Sequence, residues 1–276
     1  MRIALCNEVI AAMPFERQCA FARSVGYDAI EIAPFTLTDD PARLPAARAA
    51  EWRRAATDSG ISITSLHYLL RAPPGLSITA SDAGQRRRTV DVMRALCGLA
   101  ADLGARVLVH GSPLQRTLVP GEEDDGRKRA VDCFAAVADA AAQARVVYCI
   151  EPLSRHETQL VNTVEEAAAV IRAIDSPAVR TMIDCSAAGQ AEAVPVADLV
   201  RRWVPTGLIG HIHFNDPNRR GPGEGTMAFA PILAALAAAK YLGDAAIEPF
   251  IYEPDGPTCA ARQIGYLRGL IEAGNT

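Results

Sequence analysis

The chain has no C-x-x-C pair, although it carries seven cysteines: Cys6, Cys19, Cys97, Cys133, Cys149, Cys185 and Cys259. An odd, scattered set supplies neither a disulfide frame nor a thiolate zinc site. These residues read as small buried apolar groups in a reducing compartment. Basic charge is not in surplus either. The 28 Lys and Arg stand against 32 Asp and Glu, a formal −4, so a nucleic-acid backbone finds no electrostatic footprint. No apolar run approaches the roughly 18 residues that read as a membrane-spanning helix. The opening M-R-I-A-L-C-N starts as a strand, without the apolar stretch of a signal peptide. Gly221, Gly223 and Gly225 make no phosphate cradle, because no Lys-Ser/Thr opens a helix after them. A soluble cytoplasmic protein with no nucleic-acid or membrane partner is the expectation.

No linker or low-complexity stretch divides the 276 residues, and half of them are hydrophobic. Residues 1–276 therefore read as a single domain. Short apolar runs predict strands over 2–6, 28–33, 62–67, 106–110, 146–151, 179–184, 208–214 and 244–249. Stretches rich in Ala, Arg and Leu predict helices over 14–25, 42–58, 85–103, 126–143, 163–174, 195–203, 228–240 and 259–273. Asn162 reads as the cap of the fifth helix, with Glu165 three positions on. Gly26, Gly60, Gly104 and Gly243 mark helix-to-strand junctions. Strict alternation argues a parallel sheet, and eight units of about 250 residues in all argue an α/β fold, a closed (β/α)8 TIM barrel. The longer loops, 69–84, 111–125, 185–194 and 215–227, all follow strands, where such a barrel builds its active site.

Four of the apolar runs end in a side chain that can hold a metal. V-V-Y-C-I precedes Glu151, V-R-T-M-I precedes Asp184, L-I-G-H-I precedes His213 and D-A-A-I precedes Glu248. A charged group at the end of a buried strand is costly unless it is paired or bound to a cation. Four such endings, from the fifth to the eighth strand, suggest one shared divalent ion. Three carboxylates and one imidazole suit Mn²⁺ first, with Mg²⁺ and Co²⁺ as alternatives. For each acid the competing reading is structural. Glu151 and Glu248 could face solvent, and Asp184 could cap a helix. His211 shares the strand face of His213 and competes with it as ligand.

On these residues the chain resembles the xylose isomerase-like barrel superfamily of sugar isomerases and epimerases, most of all the ketose 3-epimerases such as those of D-tagatose and D-psicose. The family's metal Glu, Asp, His and Glu match Glu151, Asp184, His213 and Glu248. The stretch E-P-L-S-R-H-E-T-Q-L-V-N-T places Glu157 on a carboxylate that binds substrate hydroxyls, and Asn162 and Thr163 on the family's Asn-Thr. Arg219, six residues after His213, falls on the substrate-binding arginine. The resemblance implies a metal-dependent reaction on a ketose or related polyol-ketone, free or phosphorylated. A metal-stabilised cis-enediolate would be flanked by Glu151 and Glu248 as acid and base. One departure stands out: Ala187 occupies the place, three residues after the metal Asp, where the family commonly has a histidine.

His67, His110 and His156 are candidates to replace that histidine. His67 and His110 end the third and fourth predicted strands and are expected at the pocket mouth as donors to substrate. Glu31, inside the second strand, is expected to form a buried ion pair or to anchor His67 or Arg116. Arg220 and the run Arg86-Arg87-Arg88 read as solvated surface. Two other activities suit the same barrel: a 3-dehydroshikimate dehydratase-type lyase and, remotely, an endonuclease IV-like nuclease. The nuclease needs a His after the metal Asp and a D-x-H pair, and the chain has neither. A homo-oligomer, dimer or tetramer, is compatible with apolar helices such as A-F-A-P-I-L-A-A-L-A-A-A.

Overall fold

The alternation closes into a ring of eight parallel strands in the order β1 to β8, with β8 returning to β1. The structure, a computed structural model, describes residues 1–274. The strands are β1 (Ile3–Cys6), β2 (Ala29–Ile32), β3 (Ser62–Leu66), β4 (Val107–His110), β5 (Val147–Ile150), β6 (Val179–Asp184), β7 (Ile209–Phe214) and β8 (Ala245–Ile247). Each lies inside its expected range. The helices are α1 (Phe15–Val25), α2 (Ala46–Asp58), α3 (Ala83–Leu103), α4 (Glu123–Ala144), α5 (Val164–Ile174), α6 (Cys185–Ala191), α7 (Val196–Trp203), α8 (Phe229–Ala238) and α9 (Gly256–Gly274). The fold is thus a single (β/α)8 barrel.

Two local readings change. Segment 185–194, expected as a loop, holds the extra helix α6, because Oδ1 of Asp184 accepts from the N–H of Ala187 at 2.6 Å and starts a turn there. The cap of α5 is Thr163 rather than Asn162: its Oγ1 accepts from the N–H of Glu166 at 3.1 Å. Asn162 instead ties the preceding loop, donating from Nδ2 to the carbonyls of Leu153 (2.7 Å) and Thr158 (2.9 Å).

Alternation along each strand sorts the core into two parts. Outward residues such as Leu108, Tyr148, Ile150, Ile183 and Phe214 join the helices in one large cluster. Inward residues are smaller: Ala4, Cys6, Ala29 and Ala246 on one side, Val107, Val109, Cys149 and Met182 on the other. Successive inward positions at the C-terminal end carry the polar groups. Cys149 is followed by Glu151, Met182 by Asp184, His211 by His213 and Ala246 by Glu248. Among the described residues no helix is long and apolar enough to cross a membrane.

Candidate active site

The strand register brings the four expected ligands together. One donor atom each from Glu151, Asp184, His213 and Glu248 lies within 4.8 Å of the others, and all four residues are buried. That span is about what two ligands across one ion require when each bond is roughly 2.0–2.4 Å. Nδ1 of His213 is 2.9 Å from Oε2 of Glu248, 3.5 Å from Glu151 and 3.7 Å from Oδ2 of Asp184. Three buried carboxylates around one imidazole leave an excess of negative charge. Burial pushes Glu151 up, and burial with the charges of Glu151 and Glu248 pushes Asp184 well above the usual range. Burial also works to raise Glu248, but His213 and His67 outweigh it and hold it below the ordinary value. The donor set and its unbalanced charge fit a hard divalent cation.

Surrounding contacts fix each ligand. Asp184 does both things that its position allowed: Oδ1 caps α6 while Oδ2 accepts from Nδ2 of Asn215 at 2.7 Å and faces the cluster. Glu151 owes its place to Gly111, where a Cβ would fall on Oε2 of Glu151. The guanidinium of Arg116, fully buried, donates to the carbonyl of Glu151 at 2.8 Å. Burial lowers Arg116 to about 10, which leaves it charged at neutral pH.

Glu31 forms the expected buried ion pair, with His213 and His211 as its close partners; Nδ1 of His67 is farther off, at 3.8 Å, and Arg116 is not among its partners. Its Oε1 accepts from Nε2 of His213 at 2.8 Å, and its Oε2 lies 2.7 Å from Nε2 of His211. Ser65 also donates to Oε2. Burial would raise Glu31, yet the two imidazoles outweigh it and hold the carboxylate well below its usual value. His211 therefore sits below the ligand cluster, its ring edge-on to His213.

Above the cluster opens a cavity of about 280 Å³. Glu151, Asp184 and Glu248 form its floor, and Glu157, Arg219 and Ala187 line its wall. Glu157 accepts from Oγ of Ser154 at 2.8 Å and lies 3.6 Å from Nη1 of Arg219. The Arg219 guanidinium stacks over Phe250, 4.5 Å from the ring centre. Phe35, Leu153 and Phe250 add apolar wall, and Gln190, held by Ser186 at 3.1–3.2 Å, adds an amide beside Ala187.

Among the described residues no histidine lines this cavity. His67 lies behind the wall, fully buried, with Nδ1 hydrogen-bonded to Oε1 of Glu248 at 2.9 Å. His110 sits at an outward register position and faces the helices. Its Nδ1 pairs with the Tyr148 hydroxyl at 2.7 Å and its ring edge packs on Phe134. His156 is exposed on the loop after β5. None of the three lines the cavity. Sequence reasoning missed Glu8, Tyr68, Arg71 and Gly111 at the wall. Extending the strand-end rule to the residues just after β1, β3 and β4 would have found them.

Residues 19–270 match the Xylose isomerase-like TIM barrel family. The chain belongs to that family. It is 27% identical over 234 residues to a D-psicose 3-epimerase of Enterocloster bolteae, covering 83% of this chain and 75% of that one. It is 29% identical over 247 residues to an L-ribulose 3-epimerase of Mesorhizobium japonicum, covering 88% and 78%. A solved L-ribulose 3-epimerase superposes with a TM-score of 0.84 at 25% identity, over 99% of this chain and 95% of that one. A 3-keto-D-glucoside 4-epimerase from E. coli gives 0.82 at 22% identity, over 98% and 99%, a likeness of fold. The barrel is an enzyme of the epimerase type, in the isomerase class.

Proposed function

We propose that the protein is a divalent-metal-dependent ketose 3-epimerase, with Glu151 and Glu248 as its acid–base pair. The observation that carries this is their convergence: both carboxylates are buried, share one ligand cluster and form the floor of one cavity. Glu151, Asp184, His213 and Glu248 would hold the ion, Mn²⁺ first and Mg²⁺ or Co²⁺ as alternatives. Bound there, it supplies the positive charge that acidifies a carbon next to a carbonyl.

The protein's own groups do the rest. One glutamate removes the proton from the hydroxyl-bearing carbon beside the ketone, and the C–H electron pair moves into an enediolate. The other glutamate delivers a proton to the opposite face, so the configuration inverts with no net redox change. Delivery to the adjacent carbon instead would exchange ketose for aldose. Glu157 and Arg219 bind substrate hydroxyls, one accepting and one donating. Phe35, Leu153 and Phe250 keep water from the planar carbon. At about 280 Å³ the cavity lies at the small end of ligand pockets, which suits a free monosaccharide.

The deciding experiment incubates Mn²⁺-loaded protein with D-psicose, D-fructose, D-tagatose and L-ribulose in D₂O and reads the sugars by NMR. Deuterium entering C3 with conversion to the epimer is expected. Entry at C1 or C2 would make it an aldose–ketose isomerase, and no exchange in any sugar would overturn the reading. Glu248→Gln should abolish exchange while the far-ultraviolet dichroism is unchanged.

A further inference from the structure

In the eight-stranded ring β5 lies opposite β1, and β1 pairs with β8. Glu157 therefore serves the cavity from one side, and the chain leaving β1 reaches it from the other. That chain forms the turn Asn7–Ile10, with Asn7, Val9 and Ile10 buried. Asn7 pins it: Nδ2 donates to Thr36 at 2.7 Å and Gln18 at 3.1 Å, and Oδ1 accepts from the N–H of Ala33 at 2.8 Å. Glu8 is the residue of this turn that lines the cavity, its side chain 19% exposed.

Behind Glu8 stands His67. Its Nε2 lies 2.9 Å from Oε2 of Glu8, a charge contact rather than an aligned hydrogen bond. Its Nδ1 donates to Oε1 of Glu248 at 2.9 Å, while Oε2 of Glu248 faces Nδ1 of His213 at 2.9 Å. The two oxygens of Glu248 thus have separate tasks: one belongs to the ligand cluster and one is held by His67. Oε1 of Glu8 has no side-chain partner among the described residues. A carboxylate on a pinned turn, with a free oxygen at a sugar-sized cavity, is a ready acceptor for an O–H group.

We propose that Glu8 binds a hydroxyl at the end of the substrate remote from Glu157, and that His67 is the positioning residue tying Glu8 to Glu248. This rests on the ketose 3-epimerase reading above. The ligand it implies is a polyol-ketone with free hydroxyls toward both ends of the cavity, each met by a carboxylate. Glu8 holds the substrate; His67 keeps Oε1 of Glu248 in one orientation as the carbon is deprotonated.

The test uses the Mn²⁺-loaded protein and D-psicose, or whichever of the four ketoses above it exchanges fastest. Glu8→Gln should raise KM about tenfold and leave kcat within about threefold. His67→Ala should lower kcat about 100-fold. His67→Asn keeps a donor where Nδ1 stood, so kcat should stay within about tenfold of wild type while KM rises as in Glu8→Gln. Without any sugar, electron paramagnetic resonance should show Mn²⁺ bound about tenfold more weakly by His67→Ala, and this loss should vanish in a Glu248→Gln background. An unchanged KM in Glu8→Gln, or a His67→Asn protein as slow as His67→Ala, overturns the proposal while wild-type exchange stands. If the wild type exchanges no ketose, the epimerase reading fails and the role of Glu8 fails with it. The Mn²⁺ cycle then decides the tie between His67 and Glu248 alone.

Discussion

Glu31 accepts from Nε2 of His213 at 2.8 Å, and that contact leaves Nδ1 facing Glu151, Asp184 and Glu248. A ring nitrogen bonded to a carboxylate is fixed in orientation and tautomer, and the other nitrogen becomes the better ligand. Glu31→Gln keeps the shape but gives up the charge. It should weaken Mn²⁺ binding about 10–100-fold, as measured by titration calorimetry. Wild-type affinity in that variant would remove Glu31 from the metal site.

Gly111 matters for space rather than for backbone freedom. A Cβ there would fall on Oε2 of Glu151, so Gly111→Ala should push that carboxylate out of the cluster. Turnover is expected to drop at least about 100-fold, with the melting midpoint lowered by only a few degrees, roughly 1–2 kcal/mol. Retained turnover would mean that Glu151 has another productive position.

Ion binding should also register as stability. The cation would neutralise three carboxylates that the folded state buries side by side and the unfolded chain separates. At a free Mn²⁺ concentration 100 times Kd the gain is about 2.7 kcal/mol, or roughly 5 °C in Tm for a chain of this size. Chelation by EDTA should reverse the shift. In Asp184→Asn both effects should shrink, which scanning calorimetry would show.

His110, which is not a member of the candidate ligand cluster, supplies a pH test. Burial, then the charge of Arg116, lowers its pKa from 6.5 to about 3. The unfolded chain therefore takes up the proton first as pH falls. This contribution to stability is complete above pH 6.5 and is lost between there and about pH 3. The slope is about 1.4 kcal/mol per pH unit, so the loss at pH 5 is about 2 kcal/mol. His110→Gln should unfold in urea with correspondingly less weakening from pH 7 to pH 5. Equal weakening in both proteins would place the proton elsewhere.

The sequence by itself determined the barrel and pointed to the four residues that the fold gathers into one candidate ligand cluster. Strand endings and helix spacing are local properties, and burying an acid at the end of an apolar strand is costly wherever the strand lies. Parity along β4 runs against the expectation that His110 stands at the pocket mouth. In β4, Val107 and Val109 face inward, so His110 at the next position faces out. What only the tertiary structure decided is which groups serve the ligands. Glu31 reaches His213 across 182 positions, and His67 reaches Glu248 across 181. Those contacts cross a closed ring whose register shifts between Ile30 and Glu31 and between Thr181 and Met182. Contacts between residues so far apart in the chain leave no local pattern in the sequence.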